Sequence, residues 1–341
     1  MQKDSENFAF LELTEAQTRQ FIDAEAAWRA LQAAQQAAKE VRGSMMWRTQ
    51  AGRRYLIRVA TTGAQTSLGP ESDSNADIYD RFMARKAAAE SRQQQLRATV
   101  AQHVRLNRAL RVGRMPNVVV NTLNALAQAG LADHFLTVGT HALYAYETAC
   151  GVRVQTEATA TQDIDLLLDT RKYLRFTTTL QRLDTSLLGI FQKVDKTFML
   201  RDDQKYTAVN ASGFEIDVVR RPAHSRAGTD PHPLRVSHFE EDFWAVQIPS
   251  GQALLDGRRF SHMVVASSGQ MATLHAPPPE RFVRIKTALS QRSDRDPLKA
   301  RKDRLQARVV QQLLDNYGLN HVVQAQNATT PASAAASGVM L

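Results

Sequence analysis

Cysteine is almost missing from this 341-residue chain, with Cys150 the single example. That excludes an internal disulfide, and a reducing, cytoplasmic setting is expected. Cys150 lies in an apolar helical stretch and reads as a small buried hydrophobe. Long apolar runs are missing too. None approaches the roughly 20 residues of a membrane span, and the opening MQKDSENF has no secretory apolar core. Acids are scarce relative to bases, 34 against 43, for a net charge of +9. Such a balance favours a polyanionic partner, nucleic acid or at least a nucleoside triphosphate. There is no Walker A loop, nucleophile elbow or dinucleotide fingerprint. The histidines, His224, His232 and His238 among them, have no metal-ligand spacing, so no zinc site is expected.

What is present is the composition of a soluble globular protein, 43% hydrophobic and 23% charged. The length suffices for two domains. Thr14-Glu15-Ala16-Gln17 has the form of a capping box, and Phe21, Ala24, Trp28 and Leu31 then recur at helical spacing up to Gly43. Residues 45–59 alternate around Ala51-Gly52 and predict a β-hairpin carrying Arg48, Arg53, Arg54 and Arg58. With Trp47 and Tyr55, this hairpin either meets nucleic acid or packs on a helix. Residues 61–74 read as a loop, and residues 76–111 as a long helix rich in arginine. Gly113 to Pro116 marks a boundary, after which residues 117–129 predict an amphipathic helix closed by Gly130.

The most informative stretch is residues 135–169, FLTVGTHALYAYETACGVRVQTEATATQDIDLLLD. An apolar strand, Phe135 to Val138, stops at Gly139-Thr140, and a helical segment follows. Asp163-Ile164-Asp165 then opens a second apolar strand. Side chains on a strand alternate, so Asp163 and Asp165 share one face. Paired carboxylates repel unless a cation lies between them, and hard oxygen donors favour Mg²⁺. Asp217, in Phe214-Glu215-Ile216-Asp217, can add a third carboxylate from an adjacent strand, making a two-metal site. Asp169 reads as a turn residue, Glu215 as an auxiliary carboxylate or a partner of Arg220, His141 as a locally hydrogen-bonded residue, and Tyr144 and Tyr146 as packing. Arg220 and Arg221 carry charge that can reach substrate phosphates. Strands are expected at residues 198–200 and 206–209, a helix at residues 172–183, and a second hairpin at residues 260–275.

Gly139-Thr140, Asp163-x-Asp165 and Asp217, in that order, resemble the nucleotidyltransferase fold of the DNA polymerase β-like superfamily. The resemblance is to bacterial members with an N-terminal helical extension and, more loosely, to the nucleotidyltransferases of toxin–antitoxin pairs. It implies an α+β fold, a mixed sheet with flanking helices, beside an N-terminal helical module with the hairpin. The expected division is residues 1–115 for that module, 116–276 for the catalytic domain, 277–323 for a basic helical unit, and 324–341 for a disordered tail. It further implies that Gly139 and Thr140 approach a triphosphate, that Asp163, Asp165 and Asp217 hold two Mg²⁺ ions, and that Lys286 and Lys302, the latter beside Asp303, contact nucleotide phosphates. The expected activity is transfer of an NMP from an NTP to an acceptor hydroxyl, on RNA such as tRNA, on protein or on a small molecule. The alternative is an idle fold that binds nucleic acid or a partner.

Overall fold

A computed structural model describes residues 10–222 and 232–328. His224 and the tail from residue 329 lie outside the described residues. The chain divides into two compact units, residues 16–112 and residues 1–15 with 113–341. This differs from the expected division at both ends. Strand β1 (Leu11–Glu12) goes with the larger unit because it pairs with Arg153 and Val152, and the C-terminal helices belong to that unit as well.

The smaller unit begins as helix α1 (Glu15–Glu40) enters it. Strands β2 (Ser44–Gln50) and β3 (Arg53–Val59) form the expected hairpin. Ala51 and Gly52 both take positive φ, which suits a two-residue turn to the twist of its strands. The expected loop that follows instead contains β4 (Gln65–Pro70), an edge strand antiparallel to β3. Its side chains are polar or exposed, so no apolar alternation announced it. Helix α2 (Asp73–Ala109) then runs for 37 residues from its Ser72 cap. Gln20 on α1 donates to Asn107 on α2 (2.9 Å), and Val41, Met45, Leu56 and Phe82 form a small core. Three of the four hairpin arginines are engaged within this unit. Arg54 pairs with Glu71 (2.5 Å) and lies over Trp47, Arg58 lies over Phe82, and Arg48 donates to Gln65.

The larger unit opens with α3 (Asn117–Gln128), β5 (Phe135–Val138) and α4 (Leu143–Ala149). Strand β6 (Val152–Arg153) and the single turn α5 (Thr156–Thr159) lead to β7 (Asp163–Leu168). Helices α6 (Tyr173–Leu183) and α7 (Leu187–Gln192) follow. Strands β8 (Met199–Leu200), β9 (Thr207–Val209), β10 (Glu215–Arg220), β11 (Leu234–Arg235) and β12 (Trp244–Gln247) complete the sheet. After α8 (Gly251–Leu255) come the hairpin β13 (Phe260–Val265) and β14 (Met271–Ala276). Helices α9 (Pro279–Ser290), α10 (Pro297–Asn316) and α11 (Leu319–Ala328) close the unit. The last of these makes residues 324–328 helical where a disordered tail was expected.

The main sheet runs β11-β12-β10-β7-β5, with β9 beside the first half of β10 and β8 beyond it. Strands β7 and β10 are parallel and β5 is antiparallel to β7, the mixed α+β sheet with flanking helices that was expected. Alternation divides the core between two faces. Phe135, Ile164, Leu166, Leu168, Ile216 and Val218 enter the large core. Leu136, Val138, Leu167 and Val219 enter a smaller one, closed by Leu254 and Leu255 of α8. Each fully buried leucine or isoleucine contributes about 1.5–3 kcal/mol, which fixes the register of the strands that carry them. Asp163, Asp165 and Asp217 have the parity of Leu167 and Val219. Register therefore sends the acids to the lightly covered face.

Candidate active site

Strands β7 and β10 start alike, Asp163-Ile164-Asp165 and Glu215-Ile216-Asp217, and pair in register with Glu215 opposite Asp163 and Asp217 opposite Asp165. Four carboxylates thus stand as two adjacent pairs on one face. Oxygens of Asp163, Asp165 and Asp217 all lie within 4.8 Å of one another. Glu215 is drawn off by Arg201, whose guanidinium donates to it at 3.0 Å. The expected partner, Arg220, is fully buried at the other end of β10 and donates to the Arg221 carbonyl at 3.1 Å. Arg220, expected to reach substrate phosphates, is instead buried at the end of β10 away from the acids. Asp163 accepts from the Thr161 hydroxyl, and Asp217 from the Thr207 hydroxyl at 2.6 Å.

No arginine or lysine makes an ion pair with these three acids among the described residues, and their electrostatics follow from that. Burial, then the Asp163 and Asp217 carboxylates, push the Asp165 carboxyl up to about 7. Burial also raises Asp217, against the Thr207 hydrogen bond. Lys286 and Lys302 counter this only through space, without an ion pair, and carboxylates crowded in this way are what a bound cation relieves.

Gly139 ends β5 beside this cluster with φ +65, a backbone region that costs other residues strain. A β-carbon there would stand 2.1 Å from Oδ2 of Asp165. Glycine is thus required twice, by the turn and by the carboxylate over it. Thr140 is buried, and its hydroxyl accepts from Gln306 of α10 at 3.0 Å; the same amide donates to the Ala158 carbonyl at 2.8 Å. His141 is buried, with the Asp163 backbone and carboxylate beside its ring. Burial pushes the ring down to about 4, so it is neutral near pH 7.

Lys286 and Lys302 come from α9 and α10. Lys286 donates to the buried Asp303 at 2.7 Å, and Arg295 takes the other Asp303 oxygen at 2.8 Å. Lys302 turns the other way and donates to the Ala160 carbonyl at 2.7 Å, three residues before Asp163. Burial lowers the Lys302 ammonium pKa, opposed by the pull of Asp163. Tyr144 and Tyr146 pack in the core, Tyr146 also donating to Pro277. Asp169 caps a turn as expected. Cys150 is only half-buried at the core margin, and burial pushes its thiol up to about 12.

Thr161, Thr207, Arg201 and Gln306 were not foreseen. Arg201, Thr207 and Gln306 are defined by contacts between separate stretches of chain, and Thr161 by a bond to Asp163 two residues on.

A family model described as Nucleotidyltransferase matches residues 117–330. No curated protein and no solved structure matches the chain. The matched segment covers more than half of the chain and contains the sheet, the glycine turn and all three acids. This protein belongs to the nucleotidyltransferase family. Among the described residues no helix is long and apolar enough to cross a membrane.

Proposed function

We propose that this chain is a Mg²⁺-dependent enzyme that moves an NMP from an NTP to an acceptor hydroxyl. The observation that carries this reading is the trio Asp163, Asp165 and Asp217, with oxygens within 4.8 Å and no ion pair to a basic side chain among the described residues. Its all-oxygen donor set fits Mg²⁺, and the elevated Asp165 carboxyl marks a site that gains when a cation arrives. Two bound ions would supply Lewis-acid activation of the acceptor hydroxyl and neutralise charge on the departing pyrophosphate.

The chain's own groups do the positioning. Gly139 lets the backbone approach a triphosphate without a β-carbon in the way. Thr140, held by Gln306, keeps its hydroxyl hydrogen to offer to a phosphate oxygen. Lys302 presents a flexible point charge beside Asp163. Lys286 adds positive charge near Asp165 while its ammonium holds Asp303 and so sets the placement of α10.

The test is transfer of label from α-labelled ATP, CTP, GTP and UTP, with Mg²⁺, into total RNA and total protein. Label in one pool, absent with Asp163→Ala/Asp165→Ala, is expected and would identify nucleotide and acceptor class. No transfer, with nucleotide binding indifferent to Mg²⁺ and to both aspartates, would overturn the reading and leave an idle fold that binds a partner.

A further inference from the structure

Helix α10 has a second face beyond Lys302. A cavity of about 570 Å³ lies along it, lined by Arg301, Lys302, Arg304 and Arg308. One carboxylate, Glu157, faces these four cations across the cavity. The helix's own acids do not pair with Arg301, Lys302 or Arg304. Asp303 is buried between Lys286 and Arg295, and Asp315 accepts from Gln311. Arg301 and Arg304 are exposed, and no carboxylate pairs with either among the described residues. A solvated helix face ordinarily mixes charges of both signs. Leu305 and Leu298, the latter 78% exposed, stand between the basic positions and give the wall an apolar component.

Lys302 ties this groove to the acid trio through its bond to Ala160. Arg308 lies six residues on, about 9 Å farther along the helix axis. The basic stripe thus runs on along α10 for a distance that spans about two to three consecutive phosphates of a stacked strand. Its lining has no aromatic residue on which bases could stack, so the groove would read backbone charge rather than sequence.

We propose that the α10 groove binds the phosphate backbone of a single-stranded nucleic acid whose end is the acceptor at the acid trio. The proposal rests on the transferase reading above and names the acceptor class for it. Single-stranded RNA and DNA present the same phosphates, and the experiment includes both.

The experiment is fluorescence anisotropy with a labelled 20-mer oligouridylate and a labelled 20-mer oligothymidylate over a salt series, on the full chain. It compares wild type, Arg301→Gln/Arg304→Gln and Arg301→Lys/Arg304→Lys. The Gln pair is expected to weaken binding by about 10–100-fold. It should also flatten the slope of log K against log salt by about 1.4, the value for two lost phosphate contacts on a single strand. The Lys pair, which keeps the charge, should stay within about threefold of wild type. Tighter binding of RNA than of DNA by wild type would assign the source to RNA, and the converse to DNA. Unchanged affinity and slope in the Gln pair would overturn the proposal, placing any nucleic-acid contact elsewhere. Loss of NTP affinity in the Gln pair, with oligonucleotide binding intact, would overturn it by making the groove a nucleotide subsite. Asp163→Asn/Asp165→Asn separates the two readings. If it binds oligonucleotide like wild type while wild type transfers no label, the transferase reading fails and the groove stands.

Discussion

Strands β7 and β10 open with the same alternation of acid and isoleucine, yet their acids meet different fates. Glu215 sits opposite Asp163 in the sheet and is neutralised by Arg201. Asp163, Asp165 and Asp217 have hydroxyls and each other as direct neighbours instead, with Lys286 and Lys302 acting only through space. An acid with its own guanidinium is satisfied by the fold, whereas three acids sharing a few ångströms are satisfied by something the fold does not supply. On the proposed reading, the difference separates a structural carboxylate from three that would hold metal.

The contrast can be broken most severely at the trio. Asp163→Ala/Asp165→Ala is expected to lower label transfer by roughly 10³-fold or more. Glu215→Gln, measured in the same assay, should stay within about tenfold of wild type. Equal losses would erase the distinction. Next in size is Gly139→Ala. Its β-carbon would collide with the Asp165 carboxylate at 2.1 Å and force a strained φ. A loss of about 100-fold in transfer and about 1–3 kcal/mol of stability is expected, read by kinetics and urea melts.

A third prediction concerns pH. The folded Asp165 carboxyl titrates near 7, while in the unfolded chain it returns to about 3.9. The native state therefore binds the proton more tightly between those values, and this contribution to stability falls as pH rises through that window. In EDTA, urea melts should show stability declining between about pH 4 and 7 by about 1–3 kcal/mol. Asp165→Asn should flatten the decline, and a slope unchanged in that variant would show that the trio is not its source. The smallest expected effect is that of Thr207→Val. It removes the 2.6 Å hydrogen bond to Asp217 and should cost about 1 kcal/mol of stability and less than about tenfold in kcat.

The acids and the glycine turn were legible because strands write their faces into sequence with a period of two, and because Gly139 interrupts an apolar run. The in-register pairing of Glu215 with Asp163 was not, since it depends on which strands become neighbours. Nor was the Arg201–Glu215 pair. Arg220 stood nearer in sequence, but its position on β10 buries it. Strand β4 was missed because an edge strand with exposed polar side chains has no apolar alternation to show. Gln306 was invisible because its bond to Thr140 joins positions 166 residues apart. The two lysines were readable as basic residues on late helices. Their division of labour, one toward Asp303 and one toward Ala160, emerged only from the packing of α9 against α10.

That long-range bond has a consequence for the order in which the protein becomes competent during synthesis. The ribosome releases the glycine turn and all three acids well before α10, which supplies both Gln306 to Thr140 and Lys302 to Ala160. Until that helix docks, Thr140 is without Gln306 and Ala160 without Lys302, although the acids themselves have long been made.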